Sequence, residues 1–226
     1  MPNISKADDK ISLIHDFWID SNNREMWIHG IDISGIGYEG EEPGVEYLMA
    51  TKVIKNLHYF RNQSTSKEVI IHLHTCGGEF QEGMAIYDTI KLMPYPVTII
   101  SYTHARSMSS IILQSAIGSK DKRLLMPNSY FMFHYGTLYS SGTAKSVYSL
   151  IDFNKKQDEI MIDIYVNVVK ESKKFKGQTD QKIRKTIIEM MEKKEDVYLT
   201  AQEAVEWGFA DGILHSWSDL KSIKIK

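Results

Sequence analysis

An α/β fold with parallel crossovers is what this sequence predicts, and three observations carry the prediction. Short apolar runs alternate with helical patterns through the middle of the chain, the arrangement that builds a parallel sheet. Cys76-Gly77-Gly78 closes one strand-like run, and Pro94 and Pro96 stop the helix after it. The 226 residues are 42% hydrophobic and 25% charged, ordinary for a globular protein with a sizeable core. No repeat, low-complexity tract or linker divides the chain, so one domain over 1–226 is expected.

Taken in order, Arg24 to Ile33 alternates well enough for an early strand. "SGIGYEGEEPG" after it is rich in Gly and Glu and reads as a loop. From Val45 to Phe60 apolar residues recur at helical spacing. "EVIIHLH" is a buried strand, "FQEGMAIYDTIKLM" a helix, and "VTIIS" the next strand, which breaks into polar residues after Ser101. A helix follows from Met108 to about Ile117, then strand-like "RLLMP" and "YFMFH". A long helix starts near Thr143, and a lysine-rich break separates it from a second helical stretch over 183–191. That lysine run is flanked by Glu and Asp, so it reads as a solvated face rather than a basic binding patch. The last helix has Thr200 as its N-cap, Glu203 completing a capping box, and Gly208 as its stop.

Composition excludes several classes. A net charge of −2 gives no reason to expect a nucleic-acid partner. The single cysteine, Cys76, rules out an intrachain disulfide framework and suits a reducing compartment. The N-terminal stretch lacks the pattern of a secretory signal, and no apolar run is long enough to span a bilayer. A cytoplasmic protein without a membrane partner is the expectation.

Three short stretches can carry chemistry together. Ser107 stands at the junction of a buried strand and a buried helix. It is either a helix N-cap or a nucleophile on a strand-to-helix turn, where helix amides can stabilise an oxyanion. His134 ends an apolar strand, and reacting groups in open α/β sheets gather outside the carboxyl ends of strands. Alone it reads as a half-buried structural histidine hydrogen-bonded to backbone. Asp196 precedes the capped helix and alone reads as an exposed carboxylate. A serine hydroxyl needs an adjacent base, and the base needs a carboxylate to hold its tautomer. Ser107, His134 and Asp196 supply those roles. Gly78 and Met108 are the candidate amides for the oxyanion, since the Gly77-Gly78 pair leaves backbone open to close approach.

"TCGGEFQEGMAIYDTIK", "ARSMSSIILQSAIGSKDKRLLMPNSYFMFHYG" and "YLTAQEAVEWGFADGIL" resemble, in order, three signature blocks of the Clp protease proteolytic subunit (ClpP) family. The resemblance spans 68–214. It implies a ClpP/crotonase-type α/β fold, with stacked strand–strand–helix units as a head (24–142 and 195–216) and a helical handle (143–194). It implies a nucleophile at Ser107, a base at His134, an acid at Asp196, and oxyanion amides at Gly78 and Met108. The implied activity is serine endopeptidase cleavage of unfolded polypeptides in homo-oligomeric rings, two of them stacked through the handle. A AAA+ Clp-type ATPase would feed the chamber, so ATP would act only through that partner and the chain itself would need no cofactor. Arg106, Ser109, Cys76 and Val197 replace a small residue, a glycine, a proline and an arginine of the family pattern. Arg106 would narrow the substrate cleft or pair with an acidic neighbour.

Alternatives come from other classes. A catalytically silent ring subunit would explain Arg106 and Val197. A crotonase-type enzyme acting on acyl-CoA would use the same fold and oxyanion amides. His72 and His74 share a strand face and could begin a metal site, although a catalytic zinc usually takes three protein ligands. Cys76 is a conceivable nucleophile but has no helix start directly behind it.

Overall fold

The computed structural model describes residues 6–30 and 44–222. The Gly/Glu loop expected over 34–44 lies outside them except for Gly44. The chain opens with α1 (Lys6–Phe17), which the sequence reading did not anticipate, and a short antiparallel pair, β1 (Ile19–Asp20) and β2 (Glu25–His29). Helix α2 (Tyr47–Gln63) starts two residues later than its apolar pattern. Glu46 caps it, accepting the amides of Leu48 and Met49 at 2.7 Å. Its buried residues Met49, Val53, Leu57 and Phe60 recur every three or four positions, so one face meets the sheet.

The sheet is parallel through its centre because helices carry the chain back between strands. β2 pairs with β3 (Val69–Thr75), β3 with β4 (Val97–Arg106), and β4 with β5 (Lys122–Leu125). α3 (Phe80–Lys91) connects β3 to β4, and α4 (Met108–Leu113) follows β4 directly. β8 (Gly212–Ile213) closes the far edge against β5.

The polar break expected after Ser101 does not occur. β4 continues to Arg106, and its register shifts: Leu73 faces Ser101, but Thr75 faces Ala105. Beyond that bulge β4 leaves β5 and pairs instead with β6 (Tyr130–Phe133), which pairs antiparallel with β7 (Val197–Thr200). One long strand thus serves both branches of a single sheet, and the switch puts the ends of β4 and β6 side by side. The result is the ClpP-type arrangement of stacked strand and helix units.

Two helices lie between β6 and β7 in the chain. α5 (Ala144–Val169) is capped by Thr143, and α6 (Asp180–Lys194) by Thr179, so α6 begins earlier than the apolar pattern alone marks. Their inner residues Tyr165, Val169, Ile183, Ile187 and Met191 join the main apolar core. A smaller cluster of Ile100, Leu124 and Leu214 occupies the opposite face of the sheet.

Two expectations shift, at α4 and at β7, and one holds, at the capped helix after β7. α4 stops at Leu113 because the Gln114 side chain turns inward, donating to the Ser110 and Phe209 carbonyls and accepting from Arg123. α7 (Ala201–Trp207) has the expected capping box and ends at Gly208 in the left-handed conformation. After it the chain runs into β8, then α8 (Asp219–Ser222). β7 is a strand where only the approach to a helix was expected: its Val197 and Leu199 face the core while Tyr198 and Thr200 face out.

Candidate active site

Sheet register assembles the site. Ser107 follows the last residue of β4, and its amide donates to the Met132 carbonyl of β6 at 3.0 Å. That bond ties the serine turn to the strand that ends in His134. On the other side of β6, Phe133 faces Val197. One step further along the same antiparallel register brings Asp196 opposite His134. The hydrogen bonds follow. His134 Nε2 lies 2.9 Å from Ser107 Oγ, and His134 Nδ1 lies 3.0 Å from Asp196 Oδ1.

The direction of this series is fixed by chemistry. The carboxylate of Asp196 only accepts, so the proton of a neutral His134 sits on Nδ1. Nε2 is then the acceptor for the serine hydroxyl, the tautomer a general base requires. The His134 side chain is 19% exposed and that of Asp196 44%, so the series runs from a sheltered nucleophile to a partly solvated acid.

Ser107 occupies the N-cap position of α4, yet its hydroxyl makes no cap hydrogen bond. The cap reading is therefore set aside. Its backbone, at φ 51° and ψ −130°, holds a conformation that costs on the order of 1–3 kcal/mol for a non-glycine residue. At this turn the hydroxyl meets His134 Nε2, and Ser107 and Met108 both line the cleft.

Gly78 supplies a second open amide. Val45 donates to the Gly77 carbonyl at 2.6 Å and accepts from Glu79 at 2.9 Å. Successive amides of an extended segment point in opposite directions, so the Gly78 N–H faces away from Val45, into the cleft. Glycine is required here. A Cβ on Gly77, whose φ is 114°, would lie 2.8 Å from both the Met108 amide nitrogen and Ser107 Cβ. The Met108 side chain packs over Gly83 of α3, where any Cβ would overlap it.

Ser107, His134 and Gly78 line an open cleft of about 500 Å³ together with Leu138, Tyr139 and Phe153. A recess of about 60 Å³ beside Ser107 is walled by Phe80, Met108, Ile111 and Met161. Phe80, Ile111 and Met161 escaped the sequence reading because each has the signature of an ordinary core residue.

Other sequence candidates are placed elsewhere. Arg106 does not narrow the cleft and pairs with no acidic neighbour among the described residues. It lies on the outward face of β4, in a cavity of about 350 Å³ with Thr103, His104, Tyr130 and Tyr198, and its Nε is buried without a hydrogen-bond partner. Strand alternation explains the difference: one residue before the turn, the side chain points away from the nucleophile's cleft. Ser109 is buried and donates to the His104 carbonyl. Val197 is buried opposite Phe133. Cys76 is half-buried and does not line the cleft around Ser107. His72 is bonded to Glu25 and Tyr102, and His74 stacks on His104. Among the described residues no group of three or more His, Cys, Asp or Glu converges on a metal position. None of their helices is long and apolar enough to cross a membrane.

A mostly parallel α/β sheet that lines up a serine, a histidine and an aspartate is the arrangement of a hydrolase of the serine type. The Clp protease family model matches residues 42–216, most of the chain. The ATP-dependent Clp protease proteolytic subunit of Dehalococcoides mccartyi is 31% identical over 166 residues, covering 74% of this chain and 76% of that protein. The subunit of the same name from Deinococcus radiodurans is 28% identical over 170 residues, covering 75% and 76%. The chain belongs to the Clp protease family, and its activity is that of a ClpP-like serine peptidase.

Proposed function

We propose that Ser107 is the nucleophile, His134 the general base and acid, and Asp196 the carboxylate that orients and charge-compensates His134. The observation that carries this is the unbroken series from Ser107 Oγ through both ring nitrogens of His134 to Asp196 Oδ1. Ser107 Oγ attacks the peptide carbonyl as His134 Nε2 takes its proton. The oxyanion is held by the amides of Gly78 and Met108. His134 then protonates the leaving amine, and the C–N bond breaks to leave an ester on Ser107. Water attacks that ester with His134 again as base, releasing the carboxylic product and the free serine. Every proton has a place in this scheme, so the reading calls for no cofactor in the chain.

Substrate class and assembly extend the reading. The cleft is open, with about 500 Å³ of space lined in part by Leu138, Tyr139 and Phe153, which supports unfolded polypeptides as substrates. The name of the relatives, an ATP-dependent proteolytic subunit, supports a separate AAA+ ATPase as the partner that supplies them. The outer turns of α5 leave Tyr148 67%, Phe153 42% and Ile160 46% exposed. Apolar side chains in that number on one helix support α5 and α6 as the handle through which two rings stack. The single cysteine supports a cytoplasmic setting.

The test is intact-mass analysis after fluorophosphonate treatment, with the Ser107→Ala chain alongside. One adduct on the native chain, absent from the variant, together with lost peptide cleavage in an unchanged oligomer, is the expected result. Cleavage that survives in Ser107→Ala sinks the mechanism. An assembled native chain that takes no label would instead mark a silent ring subunit.

A further inference from the structure

Behind the nucleophile turn lies a hydrogen-bond series that the triad does not use. The Ser107 carbonyl accepts the amide of Ser110 at 3.0 Å and the hydroxyl of Ser110 at 2.6 Å. A carbonyl only accepts, so the Ser110 proton is committed to that bond. The Tyr165 hydroxyl, 2.7 Å from Ser110 Oγ, must then be the donor to it. The series runs one way, from Tyr165 to Ser110 to the Ser107 carbonyl. Both side chains are fully buried, and burial pushes the Tyr165 hydroxyl far above its ordinary pKa, so the donor keeps its proton. The Tyr165 ring is itself fixed, with centroids 5.7 Å from Phe133 and 5.5 Å from Phe209. Phe133 is the residue before His134.

The consequence falls on the next residue. The Ser107 carbonyl and the Met108 N–H belong to one planar peptide unit and point in opposite directions. Two hydrogen bonds hold the carbonyl toward the first turn of α4, so the N–H is aimed the other way, out of the helix start that lines the cleft. Such a restraint is needed because the turn is strained, and a strained backbone persists only where its surroundings over-determine it.

We propose that Tyr165 and Ser110 are positioning residues that aim the Met108 amide at the oxyanion, tying the handle helix α5 to the nucleophile turn. This deepens the assignment of Ser107 as nucleophile and rests on it. Neither side chain touches the reacting atoms.

The experiment compares Tyr165→Phe, Ser110→Ala and the double variant with the native protein by three readouts. These are kcat and KM for a peptide, the rate of fluorophosphonate labelling at Ser107, and Tm. Labelling depends on the same amides: the Oγ–P bond forms, fluoride leaves, His134 takes the proton, and a phosphonyl oxygen sits where the oxyanion would. Ser110→Ala strands a buried tyrosine hydroxyl, so Tm and kcat both fall. The double variant strands nothing. Its Tm returns toward the native value, while kcat and labelling rate stay down about tenfold, below the 10²–10³ that removing a whole oxyanion donor costs. KM stays within about twofold, because aiming an oxyanion donor acts in the transition state. A double variant that labels and turns over at the native rate overturns the inference, as does activity that recovers in step with Tm. A native chain that takes no label at Ser107 overturns the nucleophile assignment and this inference with it. Native labelling with an unimpaired double variant overturns the inference alone.

Discussion

At the residue scale, Asp196 is the member of the site whose role is most separable from folding. Its side chain is 44% exposed, and among the described residues its hydrogen bonds are the one to His134 and a backbone bond from its amide to Lys194. Asp196→Asn keeps the shape but offers an NH₂ or a neutral carbonyl to His134 Nδ1, so the ring is free to hold its proton on Nε2, facing the serine. The expected outcome is a fall in kcat of about 10⁴-fold. Stability should change by no more than about 0.5 kcal/mol, as for other surface substitutions. Steady-state kinetics and thermal melts on the same preparation check both halves; a drop of less than tenfold would remove Asp196 from the mechanism. The three side chains were legible in the sequence as residue types at strand and helix ends. Their meeting was legible only through the family resemblance, because in the fold it depends on the Phe133–Val197 pairing, and β7 is four residues flanked by a charge run and a capping box. Arg106 was legible as unusual, but which face of β4 it takes follows from strand alternation past the bulge at Leu73–Thr75, which no local pattern announces.

At the scale of elements, helices were easier to read than the strands that end in the site. Apolar spacing marked α2, α3 and α5, prolines marked the end of α3, and a capping box marked the start of α7, because helix signals are local. α1 escaped because its apolar residues are few and leave Ile11 and Phe17 exposed. β4 was cut short at Ser101 since its second half is polar on the outward face and supported by partners remote in sequence. The junction of β7 and α7 offers an element-level prediction. The Thr200 hydroxyl accepts the Glu203 amide, and the Glu203 carboxylate accepts from both the Thr200 amide and hydroxyl. Those bonds hold the Glu203 carboxyl below the usual carboxylate range. Thr200→Ala should cost about 1 kcal/mol by urea titration, while Thr200→Ser should cost a few tenths at most. Equal losses in the two variants would mean that the threonine methyl matters and the cap does not.

For the whole molecule, the buried His72 of β3 links stability to acid. His72 is 2% exposed on β3, stacked on Trp27 with centroids 4.8 Å apart and met edge-on by Trp217. The Glu25 carboxylate, 3.0 Å from Nε2, accepts that nitrogen's proton, and the Tyr102 hydroxyl, 2.8 Å from Nδ1, donates. A neutral ring thus satisfies both nitrogens, which is why His72 and His74 make a poor start for a metal site. Burial disfavours the imidazolium more than Glu25 favours it, so the folded His72 takes up a proton only below the ordinary histidine value of 6.5. Above that pH the ring is neutral in both states and its share of stability is complete. As pH falls below 6.5 the unfolded chain binds a proton that the folded chain refuses, and stability declines until the folded value is passed. The decline approaches about 1.4 kcal/mol per pH unit for one such group. Urea midpoints between about pH 7.5 and pH 5.5 should therefore slope downward in the native chain and less steeply in His72→Phe, which has nothing to protonate. Glu25 and Tyr102 face the ring from β2 and β4, so Glu25→Gln should steepen the native slope by removing the charge that favours the proton. Parallel slopes in all three chains would place the acid sensitivity elsewhere in the fold.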